Sequence, residues 1–87
     1  MIRVEFYGVP RSRAGVDAID VPAGRLSEVL TSLAMRLPTF ADECLNGNAL
    51  QSGYLACING TRFTTDGECT LNDGDALLIL SADVGGC

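Results

Sequence analysis

Histidine, lysine and tryptophan do not occur in this 87-residue sequence, and each absence removes something a protein could do. Without histidine there is no side chain poised to trade a proton near neutral pH, and no imidazole to bind a metal. The four cysteines at 44, 57, 69 and 87 do not fill that gap, because no two of them stand in Cys-x-x-Cys spacing. No nucleophile can be paired with a base. The chain is therefore expected to act without a catalytic side chain, a resident metal or a bound cofactor, and not to be an enzyme. Long apolar runs are also missing: nothing approaches the roughly 18 residues that span a bilayer. Met1 to Phe6 alternates apolar with charged residues instead of forming the unbroken core of a signal peptide. A cytoplasmic protein with no membrane partner is expected, and in that compartment the even cysteine count does not argue for disulfides.

Positive charge is scarce. Six basic residues face eleven acidic ones, giving a net charge of −5. Such a surface repels phosphate backbones, which argues against nucleic acid and for protein partners that carry positive charge. All six basic residues are arginine. A composition leaning toward arginine, alanine and glycine accounts for this, and it also leaves no side-chain amine for a reactive C-terminus to attack.

What is present fits one small domain. Hydrophobic residues make up 47% of the chain, ordinary for a globular protein. A domain of this size has a thin core and little room for a deep cleft, so a binding or carrier module is the natural expectation. Ile2, Val4 and Phe6 alternate with Arg3, Glu5 and Tyr7, predicting a half-buried strand. Gly8 to Gly15 is expected as a polar turn carrying Arg11 and Arg13, leading to a second strand over 17–21 with Ile19 and Val21 inward. The two strands should form a hairpin. From Leu26 the period changes: Leu26, Val29, Leu30, Leu33 and Leu37 share one face of a helix. Glu28 suits its first turn and Arg36 its last, and Pro38 ends it. Residues 39–53 are mixed, with Phe40, Leu45 and Leu50 as packing points in a short helix or turn. Strands follow over 54–58 and 62–65, joined by the hairpin signal Asn59-Gly60. After the turn Leu71-Asn72-Asp73-Gly74-Asp75 comes the apolar run Ala76 to Leu80, which reads as a central strand buried on both faces. Ile2, Val4, Phe6, Leu30, Leu33, Ile58 and Ile79 are the expected core. Cys57, inside an apolar run, is expected there too as a small hydrophobe; Cys44 and Cys69 have no legible role. The fold class is α+β, a mixed sheet covered by one main helix.

The chain then ends in Ser81-Ala82-Asp83-Val84-Gly85-Gly86-Cys87. Residues 1–81 read as the domain and 82–87 as a flexible tail, because two adjacent glycines carry high backbone freedom and nothing in the segment can pack much. Gly-Gly alone also occurs in plain linkers. Placed directly after a central strand it acquires a chemistry. A glycine carboxylate has no side chain beside it and can thread a narrow tunnel to reach an ATP phosphate.

The sequence resembles the MoaD/ThiS group, the small subunit of molybdopterin synthase and the thiamine-pathway sulfur carrier. The likeness is carried by Ile2 to Tyr7, by Val21-Pro22-Ala23-Gly24 and by Leu37-Pro38. It continues through Ile58-Asn59-Gly60, Leu71-Asn72-Asp73-Gly74-Asp75 and Val84-Gly85-Gly86. The resemblance implies a β-grasp, ubiquitin-like fold in which Gly86 is adenylated and converted to a thiocarboxylate, with Gly85 and Val84 threading the tail. It implies an adenylating enzyme of the ubiquitin-activating type as partner, with ATP used by that enzyme, and a biosynthetic enzyme that accepts the sulfur. Molybdopterin, thiamine, cysteine and secondary-metabolite pathways are all compatible recipients. Cys87 departs from the pattern, since members that function directly end at the second glycine. The preferred reading is a precursor from which a metallopeptidase removes Cys87. A whole, never activated interaction module is a second reading, and a thioester formed by Cys87 attack on the Gly86 carbonyl a third. A ubiquitin-like modifier joined to protein amines through Gly86 is the alternative outside sulfur transfer. Partner binding is expected on the exposed sheet face together with the tail.

Overall fold

The computed structural model describes residues 1–82. Five strands form the main sheet: β1 (Ile2–Phe6), β2 (Ala18–Val21), β6 (Tyr54–Ile58), β7 (Arg62–Thr64) and β9 (Ala76–Ser81). Their order is β2-β1-β9-β6-β7. β1 and β9 run parallel, with Val4 opposite Leu77 and Phe6 opposite Ile79, and the other pairs are antiparallel. The sheet is therefore mixed, with β9 at its centre, as the apolar run predicts.

Helix α2 (Leu26–Arg36) lies against one face of this sheet. Leu26, Val29, Leu30 and Leu33 are buried there against Val4, Leu77 and Ile79. Its start is well satisfied. Glu28 accepts the Arg25 backbone N–H at 2.8 Å, and the N–H groups of Leu26 and Ser27 donate to the carbonyls of Cys69 and Gly67. Gly24 stands at φ 156°, a backbone conformation that side chains disfavour, and a Cβ there would also displace the end of the Glu28 side chain, so the helix lead-in favours glycine. All seven expected core residues are buried, and Phe6 meets Phe40 edge to face with ring centres 5.0 Å apart.

Three regions differ from the expectation. Gly8 to Gly15 is not a polar turn but contains the short helix α1 (Val9–Ala14). Pro10 sits in its first turn, where the missing N–H costs nothing, and is itself buried. Gly15 closes it at φ 75° and donates its N–H to the Arg11 carbonyl. β1 and β2 are still antiparallel neighbours, but a helix joins them. Residues 39–53 do contain the expected short helix, α3 (Pro38–Cys44), started by the proline that ends α2 and with Phe40 and Leu45 buried; the addition is a two-stranded pair of β4 (Leu45–Asn46) and β5 (Ala49–Leu50). A second small pair, β3 (Gly24–Arg25) with β8 (Thr70–Leu71), holds the start of α2 against the later chain.

Cys57 is buried, as expected of a small hydrophobe in an apolar run. It is 4% exposed, yet it stands on the sheet face away from α2, because its register partners are Leu78 and Phe63 while Ala56 and Ile58 point into the core. β9 buries Leu77 and Ile79 beneath the helix and Leu80 on the other face, where Ala76 and Leu78 are half-buried, so the expected burial on both faces holds in part.

Candidate functional site

Val84, Gly85, Gly86 and Cys87, the residues expected to carry the function, lie outside the described residues. The structure does define the platform from which they depart. β9 is gripped on both sides near its end. Tyr7 donates its backbone N–H to the Ile79 carbonyl at 3.0 Å, Ser81 lies opposite Tyr54, and Ala82 donates its N–H to the Gly53 carbonyl at 2.7 Å. The chain is thus held by its neighbours as far as Ala82.

Side chains brace the same end. The Tyr54 hydroxyl donates to Glu43 on α3 at 3.1 Å, and Glu43 in turn lies 3.7 Å from the Arg13 guanidinium on α1. Three elements therefore converge beside the root of the tail. Cys44 lies in this corner, fully buried, and burial pushes its thiol up to about 11. It has the surroundings of a structural thiol rather than a reactive one.

The opposite end of the sheet is closed by the two turn motifs. Asn59 adopts φ 54°, in the left-handed region where asparagine is tolerated, and Gly60 follows at φ 74°. The Asn59 amide donates to Asp75 at 3.1 Å and its oxygen accepts the Ala76 N–H at 2.9 Å. The second Asp75 oxygen accepts the Asn72 N–H at 2.8 Å. This backbone bond, with that from Asn59, holds the Asp75 carboxyl below its ordinary value. The Asn-Gly and Asn-Asp-Gly-Asp stretches are two halves of one hydrogen-bonded corner. A sequence reading takes them as separate turns.

Between these ends lies the sheet face that α2 leaves uncovered. By register its side chains are Leu55, Cys57, Leu78, Leu80 and Phe63, of which Cys57 and Leu80 are buried, with Tyr7 at the edge near the tail. Phe63 is 58% exposed and Tyr7 55%. Arg3 and Glu5, 3.8 Å apart, and Asp20 form a charged margin on β1 and β2. A shallow groove borders this face, lined by Glu5, Phe6, Tyr7, Arg11, Asp17 and Leu78, and Arg11 pairs with Asp17 at 2.7 Å on its wall. Arg11 and Asp17 had no expected role; folding of the α1 segment brings them together, and nothing in their spacing signals it. Among the described residues no three of His, Cys, Asp and Glu gather as metal ligands, and no helix is long and apolar enough to cross a membrane.

No family model matches the sequence, and no curated protein does either. Solved structures do match. A chain of the BexX/CysO complex of Amycolatopsis orientalis superposes with a TM-score of 0.77 at 16% identity, over 93% of this chain and 94% of that one. Small archaeal modifier protein 1 of Methanosarcina acetivorans gives 0.76 at 22% identity, over 92% and 90%. A putative molybdopterin converting factor, subunit 1, of Pyrococcus furiosus gives 0.69 at 22%, over 92% and 94%. The superpositions cover nearly the whole of both chains, and this chain has a mixed sheet with its main helix packed on one face: it has the β-grasp, ubiquitin-like fold of ThiS/MoaD-type sulfur carriers and small archaeal modifiers.

Proposed function

We propose that the chain is a sulfur carrier whose working group is the Gly86 carboxyl, exposed by removal of Cys87. One observation carries this reading above the others. The central strand is held by Tyr7 on one edge as far as Ile79 and by Gly53 on the other as far as Ala82, and the sequence continues four residues later into Gly86 and then Cys87. A structured body then reaches Ala82, and a glycine at 86 would carry its carboxylate with no side chain beside it.

The chemistry asks little of the carrier. A Gly86 carboxylate oxygen attacks the α-phosphorus of ATP in a partner's site, and pyrophosphate leaves. Hydrosulfide then adds to the carbonyl carbon, the carbon–oxygen bond to AMP breaks, and loss of the sulfur's proton to solvent leaves a thiocarboxylate. ATP, the catalytic groups and the sulfur source belong to the adenylating enzyme, in keeping with a chain that has no histidine. The thiocarboxylate sulfur is the nucleophile delivered to a biosynthetic enzyme. Val84 and Gly85 thread the tail, and a metallopeptidase removes Cys87. The uncovered sheet face, with Phe63 and Tyr7 exposed beside a charged margin, suits a partner with an apolar centre and a basic rim. The likeness to a small archaeal modifier supports a second reading, in which the same activated Gly86 is joined to amines of other proteins.

The sequence offers a direct test. Arg62 is the last arginine and there is no lysine, so trypsin releases everything after it as one C-terminal peptide. The full-length chain and a chain stopped at Gly86 should be expressed in the native cell and digested. Both are expected to yield the peptide ending at Gly86, a fraction of it with sulfur in place of one oxygen. Branched Gly-Gly remnants on lysines of other proteins would favour the modifier. A chain stopped at Gly86 that never acquires either mark would overturn the proposal.

A further inference from the structure

Any activated acyl group on a tail is a hazard to its own carrier, because tethering raises the local concentration of nearby nucleophiles far above that in solution. The nucleophiles of this chain are distributed accordingly. Lysine and histidine are absent, and arginine stays protonated and does not attack carbonyl groups. Of the described thiols, Cys44 is 0%, Cys57 4% and Cys69 7% exposed. Hydroxyl groups have no histidine beside them to take their proton.

That leaves the α-amine of Met1, and the topology keeps it away. Because β1 runs parallel to β9, the chain start lies beside the start of β9, not its end: Gly74 donates its N–H to the Met1 carbonyl, and the amine pairs with Asp73. The six residues of β9 alone span roughly 20 Å at about 3.3 Å each. From Ala82 the Gly86 carbonyl can reach at most roughly 14 Å, at about 3.5 Å per residue, however the tail is arranged. An antiparallel pairing of first and last strands would have placed the amine at the tail root.

We infer that the lysine-free surface, the buried thiols and the parallel β1/β9 pairing together make this domain inert toward its own activated C-terminus. The inference rests on activation of Gly86, as proposed above. It also gives the removal of Cys87 a second consequence: excision of that residue takes away the one thiol that stands next to the acyl carbon.

The test uses a chain ending at Gly86, which keeps every described contact, prepared as a thioester of mercaptoethanesulfonate. Activation is chemical, so the outcome does not depend on whether a cellular enzyme loads Gly86. In dilute neutral buffer the unsubstituted domain is expected to give only the Gly86 acid, by attack of water. Ser52→Lys and Tyr7→Lys each place an amine at the exposed tail root. There the amine nitrogen adds to the Gly86 carbonyl, the carbon–sulfur bond breaks, and the thiol leaves with the amine's proton. The product is a cyclic amide lighter than the acid by one water. At least one of the two, confirmed folded by circular dichroism, should lose thioester on the order of tenfold faster than the unsubstituted domain. Asn72→Lys, at the far end, should give the acid alone. A cyclic amide or an internal thioester from the unsubstituted domain at the rate of the tail-root variants overturns the inference. Two folded tail-root variants that form no amide overturn it equally, because reach would then not be what protects the acyl group.

Discussion

At the scale of single residues, the molecule separates positions that hold the sheet from positions that face outward. Ile79 is fully buried between α2 and the centre of the sheet. Ile79→Ala should cost about 2–5 kcal/mol in urea unfolding, whereas Met35→Ala, at an 80% exposed position on α2, should stay within about 0.5 kcal/mol. Cys44 gives a second test. Its folded thiol is held up at about 11, above an unfolded value of about 8.5, so the unfolded chain loses this proton first. Its contribution to stability is intact below the unfolded value and falls as the pH rises from there toward 11. Alkylation of the native protein followed by peptide mapping should leave Cys44 unmodified until the chain unfolds. Asp75 works in the opposite sense. Its folded value is lowered, so the corner it organises is intact above the ordinary carboxylate range and weakens as pH falls through the folded value. Asp75→Asn should remove part of that acid sensitivity.

At the scale of elements, the lesson concerns which signals survive in a sequence. β1 and α2 were legible because one face of each is apolar and the other charged, so the period shows directly: Ile2, Val4 and Phe6 in the strand, Leu26 to Leu33 in the helix. β9 was legible as central from its unbroken apolar run, but that same uniformity hid which side faces the helix. The run Leu55-Ala56-Cys57-Ile58 concealed the orientation of Cys57 for the same reason. α1 was missed because Gly8, Pro10 and Gly15 are turn residues by composition; here they start, fill and stop a helix of six residues. The two small strand pairs are two residues long and carry no period at all. Asn59-Gly60 was legible as a turn, but its bonds to Asp75 and Ala76 depend on a chain separation no local pattern records. Asn59→Ala should destabilise by about 1–3 kcal/mol in urea unfolding, through loss of two hydrogen bonds and a left-handed residue, with the larger share from the bonds.

At the scale of the whole molecule, the parts divide into a closed end and the end where the described chain stops at Ala82. The Asn59–Asp75 corner and the Met1 amine occupy one end of the sheet, and the braced root of the tail occupies the other. The tail motif that the sequence offers as the site lies outside the described residues; the platform beneath it was not legible, because the uncovered face joins β1, β9 and the β6–β7 hairpin, which are distant in sequence. Phe63→Ala combined with Tyr7→Ala should leave unfolding within about 1 kcal/mol, since both rings are more than half exposed, yet weaken partner binding by tenfold or more. The central claim is that Gly86 becomes the terminal, sulfur-bearing residue, and the intact mass of the protein isolated from its native cell addresses it most directly. The account predicts a species ending at Gly86, part of it with one oxygen replaced by sulfur. A single species that retains Cys87 under all growth conditions would contradict it.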